Sequence, residues 1–414
     1  MHICVLGAGI VGLATAWQLQ RDGHQVTVID RAAPGEGASA GNGAQLSYSY
    51  VAPLADPSIW RQLPHLLFSP SSPLKLRPKL DPQQWRWGLA FLAACNAPMA
   101  AASTARLLAL AAASRAVFDS VRAELPADID FSATGKLVLY RSADALEGAR
   151  RQIDLQRALG SAPQRLVSNE EVIAIEPALA GYHRQIAGAV HTPSECAADC
   201  LKVCRALEQV LRARGVVFSL GADIEGFDLN RGSQQGRVQA VQAAGGPVQA
   251  DAFVMALGSA SARFGRQLGA YLPVYPLKGY SITLDVDNSP GAAPTVNVTD
   301  SARKTVFARI GSRLRVAGMA EIVGHDSRIP EGRIDMLVAA TRALFPHCSD
   351  FLELAPWTGM RPATPTGVPI IGRVDGAPDN MFFNTGHGAL GFTLAFGSAA
   401  ELASRLSPAA AARS

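Results

Sequence analysis

The chain has 414 residues, of which 48% are hydrophobic and 17% charged, and a formal net charge of +4. That length calls for two units rather than one small core. The small net charge argues against a general nucleic-acid binder and leaves an anionic membrane surface open as a partner.

His2 to Leu6 reads as a buried strand. It runs into the glycine fingerprint Gly7-Ala8-Gly9-Ile10-Val11-Gly12 and then a helix over Leu13 to Gln20. Gln25 to Ile29 alternates like a second strand and ends at Asp30, eighteen positions after Gly12. The first glycine permits the tight turn, the second lets a pyrophosphate touch the backbone, and the third lets helix and strand pack closely. The free N–H groups at the helix start bind the pyrophosphate, and the acid accepts from a ribose hydroxyl. A glycine-rich core turn is the alternative, but strand, helix and acid at the right spacing favour a dinucleotide. The first strand starts at residue 2, which leaves no room for a cleaved leader and suggests a cytoplasmic chain with its six cysteines reduced.

Pro53 to Pro82 reads as a long irregular excursion carrying Trp60, Leu66, Leu67 and Phe68. It suggests a surface loop with buried anchors, or else a lid or a membrane-touching surface. Trp85 to Glu124 reads helical. Within it, Asn96, Pro98 and Arg106 interrupt Gly88 to Ala113 before about 20 apolar residues accumulate, so a buried helix pair is expected rather than a span. Gly135 to Arg141 reads as a strand, Ala143 to Gly160 as a helix, Ala187 to His191 as a strand and Cys196 to Gly215 as a helix. Cys196, Cys200 and Cys204 then fall on one helix face. CxxxCxxxC is not a usual zinc spacing, so buried soft side chains are expected and no metal site.

Strands follow at Val216 to Leu220, Val238 to Ala243 and Ala252 to Ala256. The last runs into Leu257-Gly258-Ser259-Ala260, where small residues let backbone approach a cofactor, an ordinary turn being the alternative. Gly279 to Val286, Thr305 to Arg309 and Arg313 to Met319 read as antiparallel strands of a second unit inserted into the first. Ile370 to Gly372 and Met381 to Asn384 are short strands before Gly386-His387-Gly388-Ala389-Leu390-Gly391 and a helix over Phe392 to Leu406. A helix starting after a glycine loop offers a positive dipole end and free N–H groups. Reduced flavin gathers negative charge at its N1–C2=O edge. Two such helix starts therefore point to a flavin dinucleotide, whereas a nicotinamide enzyme needs only the first.

Arg361 is the best candidate for clamping a substrate carboxylate, because a guanidinium binds it bidentately. It lies in Trp357–Pro369, a segment stiffened by three prolines. Tyr280 is a second carboxylate donor, with core packing as the alternative. His387 is a candidate base, but its glycine neighbours favour a main-chain contact to the flavin. Tyr48 and Tyr50 follow the cofactor loop and either line the pocket or pack in the core. Candidate cofactor contacts are Gly7, Gly9, Ile10, Val11, Gly12, Asp30, Arg31, Ser39, Asn42, Gly43, Ala44, Gln45, Leu46, Ile224, Ala256, Gly258, Gly359, Gly386, His387, Gly388, Gly391 and Thr393. Tyr48, Tyr280 and Arg361 are the candidate substrate contacts, and Arg361, Tyr280 and His387 the catalytic ones.

The chain resembles the FAD-dependent D-amino-acid dehydrogenase family (small subunit) and, more distantly, the glycine oxidase and D-amino-acid oxidase group. The likeness runs from Met1 to about Leu406. It is carried by the opening fingerprint, Tyr275-Pro276-Leu277-Lys278-Gly279-Tyr280-Ser281, Gly318-Met319-Ala320-Glu321-Ile322-Val323-Gly324, Trp357-Thr358-Gly359-Met360-Arg361-Pro362 and Asn384-Thr385-Gly386-His387-Gly388. The resemblance implies non-covalent FAD, oxidative deamination of D-amino acids by hydride transfer from the α-carbon to flavin N5, and electron delivery to a quinone rather than oxygen. Arg361 matches the family's substrate arginine. Relatives that oxidise D-proline or cis-4-hydroxy-D-proline, or an oxygen-using oxidase, are the alternatives.

Three departures bear on the substrate. Asn42-Gly43-Ala44-Gln45 stands where Asn-Ala-Gly-Gln is usual. Thr366 replaces a common acid, and the chain stops soon after the last helix. The resemblance also implies an α/β fold: a Rossmann-type FAD-binding domain (1–84, 192–265 and 355–414) interleaved with an α+β substrate domain on a mixed sheet (85–191 and 266–354). A peripheral contact with the cytoplasmic face of the bacterial inner membrane, and with other subunits, is a further expectation.

Overall fold

The computed structural model describes residues 1–60, 74–126, 128–230 and 236–406. Leu66, Leu67 and Phe68 lie outside the described residues. The apolar runs His2–Leu6, Gln25–Asp30, Val217–Leu220 and Ala252–Met255 line up in parallel, joined by Met381–Thr385 and, antiparallel at one edge, Ile370–Gly372. Parallel strands need both faces covered. On one face, helix Ile10–Arg21 packs against the C-terminal helix Gly391–Leu406, which in turn packs on Ala97–Glu124. Gly397 allows that last approach, since a Cβ there would strike the Leu110 carbonyl.

The second sheet has nine strands of mixed direction. Its path runs Trp357–Ala363, Tyr275–Asp285, Arg313–Ile322, Thr305–Ile310, Asn297–Asp300, Lys136–Tyr140, Gly188–Thr192 and Arg165–Val167, with Leu74–Leu76 beside Arg313–Ile322. An α/β nucleotide-binding sheet interleaved with a mixed sheet is the expected fold class. The expected domain limits cut differently: Leu74–Leu76 and Trp357–Ala363, placed with the cofactor unit from sequence, join the larger sheet. The helical stretch after Pro82 breaks at Cys95–Asn96 into Pro82–Ala94 and Ala97–Glu124, bent by 97°. No single described helix is long and apolar enough to cross a membrane.

The cysteine run also differs. Cys196–Ala197 is a short strand paired with Gln45–Leu46, and the helix starts only at Cys200, capped by the Asp199 carboxylate on the Leu201 and Lys202 amides. The three cysteines therefore do not share one helix face, although all are buried and free.

Strand period decides what each face of the large sheet carries. Leu137, Leu139, Tyr280, Ile282, Leu284, Phe307 and Val316 pack into one core under helix Glu331–Leu344. Their neighbours in sequence, among them Lys136, Gly279, Ser281, Val306, Arg315 and Ala317, point to the opposite face. That face meets the loop after the glycine fingerprint: Gly43 abuts Val306, Ser281 Oγ donates to the Gly41 carbonyl at 2.7 Å, and Arg315 donates to the Asn42 carbonyl at 3.0 Å.

Candidate active site

The cofactor cradle starts at the first strand. Gly7 holds φ at +113°, and a Cβ there would come 2.5 Å from the Ala256 carbonyl oxygen. A Cβ on Gly12 would run into the Gly7 carbonyl. Neither position accepts any other residue: the first needs glycine for its turn and the second for close helix–strand packing, while a Cβ on Gly9 would meet only Ser39 Oγ at 3.6 Å, so the residues present fit a dinucleotide. Gly9 is the N-cap of helix Ile10–Arg21, putting the amides of Val11 and Gly12 in its first turn, where no intrahelical acceptor exists. The Ile10 amide is taken by Ser39 Oγ at 3.1 Å.

Asp30 lies at the end of its strand, its carboxylate accepting from the Ala8 amide at 2.6 Å and the Ala32 amide at 3.0 Å. It braces the glycine turn, and each oxygen keeps a second lone pair. Arg31 beside it is exposed. Ile224 follows Ala222, whose amide bonds the Asp30 carbonyl.

The next loop ties cradle to sheet. Asn42 Oδ1 accepts from the Ala44 amide at 2.9 Å, and Gln45 Nε2 donates to the carbonyls of Val298 and Phe307. Ala44 sits at φ +57°, the left-handed region that glycine favours. Leu46 is buried, and Ser47 N donates to Thr393 Oγ1 at 3.2 Å, in the first turn of the C-terminal helix.

The second glycine loop sits at the far end. Gly386 and Gly388 have φ of +83° and +56°, and Gly391 opens the C-terminal helix. Thr385 Oγ1 donates to the Gly258 carbonyl at 3.2 Å, tying this loop to the small-residue turn after Ala256. Strand Trp357–Ala363 touches both, through an isolated bridge from Ala363 to His387 and through contacts with Gly258–Ala260 and Gly388–Leu390.

Arg361 stands on that strand. It is registered against Leu277 while Tyr280 is registered against Thr358, so Arg361 lies on the face turned to the cofactor loops. Its guanidinium lies over Gly279, where a Cβ would collide with it. Its Nη1 donates to the Met319 carbonyl at 2.6 Å, and no carboxylate among the described residues pairs with it. Burial lowers its pKa to about 10, so it stays a cation at neutral pH. The kink that presents the Met319 carbonyl comes from a register shift opposite Lys278–Tyr280, with Met319 at φ +62°.

Four expected roles change. Tyr280 is 1% exposed on the opposite face, its hydroxyl donating to Glu321 at 2.7 Å, with Glu321 paired to Arg333. It cannot meet a carboxylate held by Arg361. The His387 ring turns into the C-terminal helix, with Nε2 at 2.9 Å from Ser398 Oγ, and burial lowers its pKa to about 3. A neutral, bonded imidazole leaves its backbone, not its side chain, beside the loop. Tyr48 packs in the helical core near Arg115. Gly359 faces the Trp357 indole, which also covers Gly41, so its open side serves that ring rather than a cofactor.

Sequence reading passed over Arg315, whose guanidinium binds the Asn42 carbonyl and Thr283 Oγ1, and Lys136, which donates to Ser47 Oγ at 2.8 Å. The signal is a cation set into an apolar strand run, Arg315 before Val316-Ala317 and Lys136 before Leu137-Val138.

Residues 2–405 match the DAO family model, described as FAD dependent oxidoreductase. The chain is 49% identical to a protein of Ralstonia nicotianae named D-amino acid dehydrogenase 2, over 100% of this chain and 98% of the relative. It is 42% identical to a protein of the same name from Pseudomonas aeruginosa, over 98% of this chain and 94% of the relative. Among solved structures it is similar to glycine oxidase from Geobacillus kaustophilus, at a TM-score of 0.75 and 22% identity, covering 98% of this chain and 95% of that one. L-proline dehydrogenase from P. horikoshii gives a TM-score of 0.74 at 18% identity, covering 99% and 93%.

Proposed function

The chain belongs to the DAO family of FAD-dependent oxidoreductases, and from that premise we propose that Arg361 binds the carboxylate of a D-amino acid for oxidation by FAD. The enzyme is an FAD-dependent D-amino acid dehydrogenase in activity, by its full-length likeness to relatives of that name. The observation that carries the site is the half-buried Arg361 guanidinium. Among the described residues it has one backbone acceptor and no acidic partner, and it lies on the strand that touches both glycine-rich loops.

FAD, when bound, supplies a two-electron acceptor for the α-hydrogen. Gly7 and Gly12 would hold its pyrophosphate and Asp30 its ribose. The first turn of Gly391–Leu406 would face the negative edge of its ring. The protein's own work is orientation. Arg361 forks onto the carboxylate, which fixes the α-carbon and turns its hydrogen in one direction. The Arg361 cation also lowers the cost of holding the amine neutral, because a second positive charge beside it is disfavoured. The product imine leaves for hydrolysis to the keto acid and ammonia.

We propose a quinone as electron acceptor, reached at the cytoplasmic face of the bacterial inner membrane. Trp60, Leu80, Trp85 and Leu89 are exposed large apolar side chains, with Lys75, Arg77, Lys79 and Arg86 exposed among them. Aromatic and basic residues together suit an anionic lipid surface. The test is one panel: D- and L-amino acids, prolines and hydroxyprolines included, with the purified yellow protein and with oxygen, a soluble dye or a quinone in anionic vesicles. Turnover of D-isomers with dye and vesicle quinone but not oxygen is expected. Absence of flavin bands, or preference for L-isomers, would overturn the activity; equal rates with oxygen would overturn the acceptor.

A further inference from the structure

Two buried charges on the site-facing side of the large sheet have no part in clamping the carboxylate. Lys136 is 2% exposed and Glu195 1% exposed. Lys136 Nζ donates to Ser47 Oγ at 2.8 Å and stands 4.2 Å from the centroid of the Tyr50 ring. Glu195 Oε1 accepts from the Ser49 amide at 2.7 Å, while its Oε2 is buried with no partner among the described residues. The two charges thus converge on Ser47–Tyr50, the four residues that leave the cofactor loop. Burying an ammonium and a carboxylate is costly, and an apolar filling of the same space would be cheaper. Burial holds Lys136 down to about 8 and pushes Glu195 up, each opposed by the other's charge.

What the pair holds is Tyr50. Tyr48 and Ser49 are buried and Ser47 is anchored to Thr393, whereas Tyr50 is 36% exposed. Lys136 alternates with the core residues Leu137 and Leu139, which puts its ammonium, and the ring it touches, on the face that carries Arg361. A cation against one face of an aromatic ring fixes its tilt and leaves the other face apolar and free.

We propose that Lys136 and Glu195 are positioning residues that set Tyr50 as a specificity-determining wall for the side chain of the amino acid whose carboxylate Arg361 holds. This rests on the D-amino-acid reading above. Arg361 reads the group common to all substrates, and the Tyr50 ring discriminates large apolar side chains from small ones by the area they bury.

The test uses flavin-loaded full-length enzyme with Y50L, K136M, the double variant, K136R and E195Q. Kinetics are taken on D-alanine and D-phenylalanine with a dye. Binding of propionate and 3-phenylpropionate, which lack the amine and do not react, is read from the flavin spectrum. Y50L and K136M should each weaken 3-phenylpropionate and raise KM for D-phenylalanine by about tenfold, the order of one lost apolar contact, with propionate and kcat within about threefold. The double variant should be no worse than either single one, as expected of coupled residues. K136R should recover most of the D-phenylalanine KM. Should K136M fail to hold flavin, E195Q and Y50L decide the matter by the same selectivity.

Equal losses for both ligands, multiplying effects in the double variant, or an unchanged Y50L would overturn the assignment. A wild-type protein that shows no flavin bands or no D-dependent dye reduction would instead overturn the underlying activity, before any variant is compared.

Discussion

The two faces of the nine-stranded sheet are built from the same strands and do opposite things. Tyr280 and Arg361 lie on paired strands three residues apart in register, yet Tyr280 joins a sealed network with Glu321 and Arg333 while Arg361 has, among the described residues, only the Met319 carbonyl. On the first face the buried Glu321 carboxylate has its counter-charge, Arg333, inside the protein. On the second, the half-buried Arg361 cation is left without one among the described residues. A charge that the fold does not neutralise is where a ligand of opposite charge belongs. Arg315 on the same face also lacks a carboxylate, but its guanidinium is spent on Thr283 Oγ1 and the Ala40 and Asn42 carbonyls, so Arg361, with one acceptor, is the cation with donors to spare.

The comparison breaks most easily at its two named residues. R361L removes the carboxylate's fork and should cut kcat/KM by about a thousandfold or more, the order of a lost desolvated charge pair, with flavin absorbance retained. Y280F should leave kcat/KM within about threefold and instead lower stability by about 1–3 kcal/mol, because Glu321 loses a buried donor. Steady-state kinetics and urea unfolding on both variants decide it. A Y280F rate loss comparable to that of R361L would erase the distinction between faces.

His387 sharpens the same point one layer back. Its imidazole is buried against Ser398 and its pKa is lowered to about 3, while the unfolded chain takes a proton near 6.5. Between those values the unfolded state binds more protons, so stability is full above about pH 6.5 and falls as pH drops toward 3, with a slope approaching about 1.4 kcal/mol per pH unit. H387Q should flatten that slope in urea titrations at pH 7 and pH 4.5. It should also leave the pH profile of kcat unmoved near neutrality, because the ring carries no proton for the reaction.

How far these assignments were legible follows from what a linear pattern encodes. The fingerprint, Asp30 and the second glycine loop depend on local backbone needs, and each stands where its spacing places it. Apolar period located the strands, but a motif such as Tyr275–Ser281 does not say which parity faces the cofactor. That requires the register with Trp357–Ala363, a contact set by residues some eighty positions apart. Tyr280 falls on the opposite face for that reason. Cys196 illustrates a different loss: four-residue spacing suggested one helix, but Asp199 is the cap, and everything before it pairs as strand with Gln45–Leu46. An aspartate at that place caps a helix with its own side chain, and the cap rather than the cysteine spacing sets where the helix begins.

The smallest expected effect lies in the loop that joins the cradle to the site-facing side. Gly43 and Ala44 look like a glycine shifted by one place, and the geometry separates what each position needs. Gly43 is needed for space, because a Cβ there would sit 2.9 Å from Val306 Cγ2. Ala44 is the residue with the left-handed backbone, at φ +57°, held by Asn42 Oδ1 on its amide. An L-residue there costs about 1 kcal/mol relative to glycine, so A44G should stabilise the protein by about that amount less the entropy glycine adds to the unfolded chain. G43A should do the reverse, pushing the loop off Val306 and weakening flavin retention along with stability. Urea midpoints and flavin release on dilution distinguish the two. If A44G destabilised the protein, the loop would owe its shape to the Ala44 methyl rather than to Asn42 and the sheet face beneath it.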